Sequence, residues 1–180
     1  MAHINLLNPL PGISGLLTQY PATARPLSLL AETLLREPHS LTSGERELIA
    51  AYTSYKNQCH FCHSCHAAAA TTHLGDQYQI IDAVNRDVDT APISEKMKAL
   101  LHIAAQVSVS GRAVTPAAIE RAKAAAATDD EIHMAVLIAA AFCMYNRYVD
   151  GLGTWAPEPR EAYAETGERL AHVGYVKSME

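Results

Sequence analysis

With 180 residues, the chain is sized for one domain and long enough to bury a sizeable apolar core. It is rich in Ala and Leu, with only nine Gly and two Phe, a composition that favours helices over sheets. A formal net charge of −5, with Lys and Arg scattered singly, offers no basic patch and excludes a nucleic-acid partner.

The opening "MAHINLLNPLPGISGLLTQYP" lacks a positive n-region, and Pro9, Pro11 and Gly12 interrupt its apolar run, so it does not read as a signal peptide. Residues 1–20 are expected to form an irregular arm. A helix is expected from Thr23 to Glu37, with Leu27, Leu30, Ala31 and Leu34 on one stripe and Pro38 beyond its end. "LTSGERELIAAYTSYKNQ" begins the next helix, with Thr42 or Ser43 as N-cap and glutamates in the first turn. The segment from 59 to 74 follows almost at once and stops at Gly75. A shorter helix over 76–87 leads to the "DVDTAPIS" turn.

"SEKMKALLHIAAQVSVSG" starts at Pro92 or Ser94 and is closed by Gly111. "VTPAAIERAKAAAA" has Thr115 as cap and Pro116 at its first helical position. "TDDEIHMAVLIAAAFCMYNRYVDGLG" is capped by Thr128 or Asp129 and ends at Gly151. Its apolar stretch, 134–145, is too short to span a bilayer, so no membrane association is expected and a cytoplasmic location is. A last amphipathic helix over 158–173, within a C-terminal region of 156–180, completes the chain. No stretch alternates with period two. The expectation is an all-α, single-domain bundle spanning 1–180, in which 41–74 and 115–150 echo one another weakly as helix hairpins.

The chemistry concentrates in "NQCHFCHSCHAAAATTH", residues 57–73, which holds Cys59, Cys62 and Cys65 beside His60, His63, His66 and His73. In a reducing compartment such a cluster points to a metal site or a thiol redox centre rather than a structural disulfide. On an ideal helix His66 falls about 20° and Cys62 about 60° from Cys59, so both thiols and the imidazole share a face. Cys65 and His63 lie at its edges and His60 points away. Helical Cys-x-x-Cys spacing lies within disulfide range. The helix N-terminus favours a thiolate, most strongly at Cys59. His66 stands at i,i+4 from Cys62, able to take its proton or pair with its thiolate. On the preceding helix Glu47 shares a strip with Ala50, Ala51 and Ser54, small enough to let a neighbouring helix close in. A carboxylate there would be desolvated and would need a partner, which His66 or a thiol could supply. Glu47 also fits a plain first-turn acid, like its neighbour Glu45.

Glu47, Cys59 twelve positions later, "CHFC" and His66 four residues after Cys62 together resemble the alkylhydroperoxidase D-like, carboxymuconolactone decarboxylase superfamily, in its peroxidase-related branch. "FCMYNRYVDGLGT" at 142–154 is similar to a second signature of that branch, and the resemblance runs over roughly 20–155. It implies a thiol-dependent peroxidase of the all-α alkylhydroperoxidase D-like fold. Cys62 would be the peroxidatic thiol, Cys59 the resolving one, and His66 and Glu47 the proton relay. It implies no metal, haem or flavin, a hydroperoxide substrate, an external thiol or protein disulfide reductant, and a homo-oligomer. Where the founding member has a histidine between the cysteines, this chain has Phe61, and it adds Cys65, a second candidate resolving thiol.

Other readings compete. A closed zinc site needs four ligands, and no second Cys-x-x-Cys exists to complete one, but a zinc-binding or redox-sensing module remains the alternative from another class. Decarboxylase-type members typically lack the cysteine pair. Cys65 reads as a small packing residue, His63 and His73 as rim residues, and Cys143 as core. "YNRYVDG" suits packing or a subunit contact as well as a cleft wall.

Overall fold

Capping chemistry sets most boundaries in the computed structural model, which describes residues 2–75 and 78–176. Thr42 accepts a hydrogen bond from the Glu45 N–H while Glu45 accepts from the Thr42 N–H, a capping box that starts α3 (Ser43–Lys56). Thr128 and Glu131 repeat it at α8 (Asp129–Gly151). Ser94 caps α6 (Glu95–Val109), and Thr115 with Pro116 opens α7 (Pro116–Ala124). The remaining helices are α1 (Gly12–Gln19), α2 (Pro21–Arg36), α4 (His60–Leu74), α5 (Gln79–Arg86) and α9 (Ala164–His172). Short 3₁₀ turns occupy Gly111–Ala113 and Arg160–Tyr163, and no strand occurs among the described residues. The fold is all-helical and forms one domain.

Beyond small shifts at other helix ends, such as α2 starting at Pro21, three elements differ from expectation. The arm is not irregular throughout: Pro9 and Pro11 precede α1 rather than interrupt it, with Pro11 as its extended N-cap and Leu16 fully buried. The helix expected over 76–87 is confined to Gln79–Arg86, with Tyr78 left-handed before it; residues 76 and 77 lie outside the described set. The last helix is divided, because a 3₁₀ turn precedes α9 and the chain leaves helical form at Val173.

α3 sits at the centre, with α4 along one side and α6 and α8 on the other. Ile49, Leu100, Leu101, Ile103 and Ile138 are fully buried between these helices, each contributing about 1.5–3 kcal/mol of apolar transfer. α9 lies on the outer side of α4, where Gly167 permits close contact: a Cβ there would stand 2.6 Å from the backbone of Ala68. A second, smaller core forms at this layer from Cys59, Phe61, Cys62, Cys65, Ala68, Val149, Tyr163 and Leu170. The hairpin echo is one of pattern, since α8 packs chiefly on α6 and α3 and only slightly on α7. α8, with 23 residues, is by length and composition able to cross a membrane, unlike the shorter apolar stretch singled out within it. Half of the apolar window concerned is buried against the rest of the fold, as in the core helix of a globular protein.

Candidate active site

The joint between α3 and α4 is only three residues long, Asn57, Gln58 and Cys59. The Cys59 N–H donates to the Ser54 carbonyl at 3.0 Å and the Gln58 N–H to the Tyr55 carbonyl at 2.9 Å, a Schellman closure. Gln58 takes the left-handed position, φ 60°, where glycine is usual. Cys59 therefore ends the closure of α3 and is at once the extended N-cap of α4. Cys62 follows at the third helical position and His66 one turn further.

The two thiols of the pair differ in setting. Cys59 is fully buried, and its thiol is pushed far above the usual cysteine range, first by hydrogen bonding to Cys62 and then by desolvation. Cys62, 3% exposed, lines a cavity of about 670 Å³. Cys65 lines it too, and burial pushes its thiol well up. Apolar side chains, among them Leu17, Leu27, Phe61, Phe142 and Leu170, form most of the wall, with Glu165 and Arg169 from α9 also facing the space. All four cysteines are free.

Glu47 is fully buried on α3, and Ala50, Ala51 and Ser54 on its strip are buried as well. Its Oε2 accepts a hydrogen bond from His66 Nδ1 at 2.8 Å, joining the two helices through the predicted pair. With Nδ1–H committed to the carboxylate, the imidazole keeps Nε2 as its basic nitrogen. Tyr175, a residue no local sequence signal indicates, completes the group. Its hydroxyl donates to Glu47 Oε1 at 2.5 Å and lies 3.3 Å from His66 Nδ1. Its ring stacks on the imidazole at 6.0 Å between centroids and 10° between planes, while Phe142 meets the same imidazole edge-on at 4.5 Å. Desolvation and the neighbouring carboxylate push the phenol well above its usual range, so it remains a donor.

The other candidates find structural partners. His63 Nδ1 donates to the Ala51 carbonyl at 3.0 Å and its Nε2 accepts from Asn85 at 3.2 Å, tying α4 to α3 and α5; burial lowers its basicity. His60 is exposed and hydrogen-bonds the Pro157 carbonyl, and His73 lies exposed near the end of α4. Cys143 is half-buried rather than core, and Asn57 reaches its sulfur at 3.4 Å. The "FCMYNRYVDGLGT" segment braces the joint: Asn146 donates to Ser54 Oγ at 3.0 Å and accepts from Asn57 at 2.8 Å. Phe61 packs its ring on Gly12, whose missing Cβ would otherwise lie 2.3 Å from it, so α1 closes over the Cys-x-x-Cys turn. Among the described residues, no three His, Cys, Asp or Glu side chains converge as ligands of one metal ion.

Solved structures share this architecture. A peroxidase-related protein from Ralstonia eutropha JMP134, with an alkylhydroperoxidase AhpD core, superposes with a TM-score of 0.76 at 25% identity, covering 88% of this chain and 81% of its own. A peroxidase-related protein from Silicibacter sp. TM1040 gives 0.75 at 21% identity, over 86% and 78%, and adds likeness of fold alone. No protein-family model and no curated protein matches the chain.

Proposed function

The chain belongs to the alkylhydroperoxidase D-like superfamily, among its peroxidase-related members, and on that ground we propose that it is a thiol-dependent peroxidase working through Cys59 and Cys62. The observation that carries this reading is the unequal pair: Cys62 lines the cavity, whereas its partner Cys59 is fully buried away from it.

In the proposed cycle His66 Nε2 takes the Cys62 proton, and Glu47 balances the charge the imidazole gains. The thiolate attacks the terminal peroxide oxygen; an S–O bond forms as the O–O bond breaks, leaving a sulfenic acid on Cys62 and an alkoxide or hydroxide that recovers the proton from His66. Sulfur loses two electrons and the peroxide gains them. Cys59 then attacks the sulfenic sulfur, a disulfide forms and water leaves. An external thiol or protein disulfide reductant reopens it, so that one hydroperoxide and two thiols yield an alcohol, water and a disulfide.

The test is hydroperoxide consumption by purified protein supplied with thiol reductants, with peptide mapping of the oxidised product. Turnover and a Cys59–Cys62 bridge are expected. Absence of peroxide consumption with every reductant, or a dominant Cys62–Cys65 bridge, would refute the scheme or move the resolving role to Cys65.

A further inference from the structure

Beyond α9 the chain turns back over the cavity. Gly174 is left-handed, φ 95°, and a Cβ on it would meet the Glu32 carboxylate at 2.6 Å. That carboxylate accepts from the Tyr175 N–H at 2.6 Å and pairs with Arg36 at 3.3 Å. Arg36 in turn donates to the Leu170 carbonyl at 2.9 Å and to the Ala171 carbonyl, so it ties α2 to the end of α9. The strap is thus fixed at its base by two charged groups of α2. What it delivers is a phenol hydroxyl to the second oxygen of a fully buried carboxylate, and a ring to the face of the imidazole.

Resting on the peroxidase reading, we propose that Tyr175 is a positioning residue of the site: its hydroxyl orients the Glu47 carboxylate so that it fixes His66 through Nδ1, with Nε2 as base. Three features support this. The hydroxyl and His66 Nδ1 occupy different oxygens of Glu47, so they do not compete. The imidazole is held between Tyr175 and Phe142 and cannot turn Nδ1 away from the carboxylate. And the strap's anchors, Glu32 and Arg36, belong to a helix that contributes no reacting group. Among the described residues, the charged or titratable groups facing Tyr175 include Glu47 from α3, His66 and Cys65 from α4, and Glu32 and Arg36 from α2.

Tyr175→Phe keeps the stacked ring and removes only the hydroxyl. A hydrogen bond to a buried charged group is worth about 10- to 100-fold in an equilibrium it controls, so kcat should fall by about that factor with KM little changed. Added to Glu47→Gln, the same change should cost almost nothing further, because it acts through Glu47. Cys62 alkylation by iodoacetamide, followed by peptide mass spectrometry, reports the same relay without any peroxide, and should slow about tenfold in Tyr175→Phe at pH 7. Unchanged alkylation, or a loss fully additive with Glu47→Gln, would overturn the proposal. Slowed alkylation in a protein that consumes no peroxide would leave the relay standing and sink the peroxidase reading instead.

Discussion

Glu47→Gln is the sharpest test of the buried carboxylate. The amide matches the carboxylate in size but has one oxygen and one NH₂, whereas both groups facing Glu47 are donors: His66 Nδ1 at 2.8 Å and Tyr175 Oη at 2.5 Å. Turned one way, the NH₂ opposes His66 and forces the imidazole proton onto Nε2, the nitrogen the relay uses as base. Turned the other way, it opposes the phenol, which must swing to accept. In both cases His66 loses the charge that balances its protonated form. One charge-assisted hydrogen bond is worth about 1.5–3 kcal/mol, and each factor of ten in rate about 1.4 kcal/mol, so the lower bound from two such bonds is about 100-fold. That agrees with the loss typical of one positioned acid–base group. Stability should change little, because removing a buried charge offsets the lost bonds; a Tm shift within about 4 °C is expected for a chain of this size. Glu45→Gln is the control. Its Oε2 accepts from the Thr42 N–H at 2.8 Å, which the Gln carbonyl can still do, so the capping box and the activity should survive. Stopped-flow consumption of hydroperoxide under single-turnover conditions, with the melting curve of each variant, makes the measurement. A loss below about threefold for Glu47→Gln, or losses equal in both variants, would refute its role as more than a helix-end charge.

Other consequences are open to measurement. Cys62→Ser should abolish turnover, while Cys59→Ser should complete one round and leave a sulfenic acid on Cys62, trapped with a dimedone-type reagent; a trapped sulfenate on Cys59 would reverse the order. Stability should fall as pH rises above about 8.5, where the unfolded chain releases the Cys59 and Cys65 protons that the folded protein retains. The limiting slope is about 2.7 kcal/mol per pH unit for the two groups, and denaturant titrations at pH 8.5 and 9.5 would contradict it if the midpoints coincide. Gln58→Gly removes a left-handed side chain from the α3–α4 joint and should raise Tm by about 1–4 °C; a lowered Tm would mean that the Gln58 side chain contributes more than its backbone costs.

The parts of this architecture written in local chemistry were legible beforehand. Thr42, Ser94, Thr115 and Thr128 each accept the hydrogen bond that their position before a helical run implied. Glu47 and His66 meet because a strip of Ala50, Ala51 and Ser54 and a run of buried alanines bring α3 and α4 together, and both are visible as composition. What escaped is what distant contacts impose. α1 is eight residues long and too short to persist alone; Phe61 against Gly12 and the Trp155 carbonyl on the Gly12 N–H hold it in place. Tyr175 stands 128 residues from Glu47 and 109 from His66, in a segment whose own sequence gives no period or cap. Cys143 reads as core from its apolar neighbours, but Asn57 and Asn146 make its surroundings polar.

The order of the two cysteines turns on magnitudes that sequence spacing cannot weigh. From position alone Cys59 has the advantage, because the helix dipole favours a thiolate most at the first turn, by about 0.3–1 kcal/mol and up to about 2 in buried settings. The folded chain sets two larger effects against it. The Cys59 proton is engaged with Cys62, a bond that would be forfeited on ionisation. Full burial also penalises the charged sulfur. Both follow from the Schellman closure, which draws Cys59 into the joint between α3 and α4 and leaves Cys62, three residues on, at the cavity wall. A bulkier or looser joint would expose Cys59 and weaken that asymmetry. The left-handed Gln58 and the Asn57–Asn146–Ser54 hydrogen bonds therefore bear on which sulfur reacts first, although none of these side chains lines the cavity.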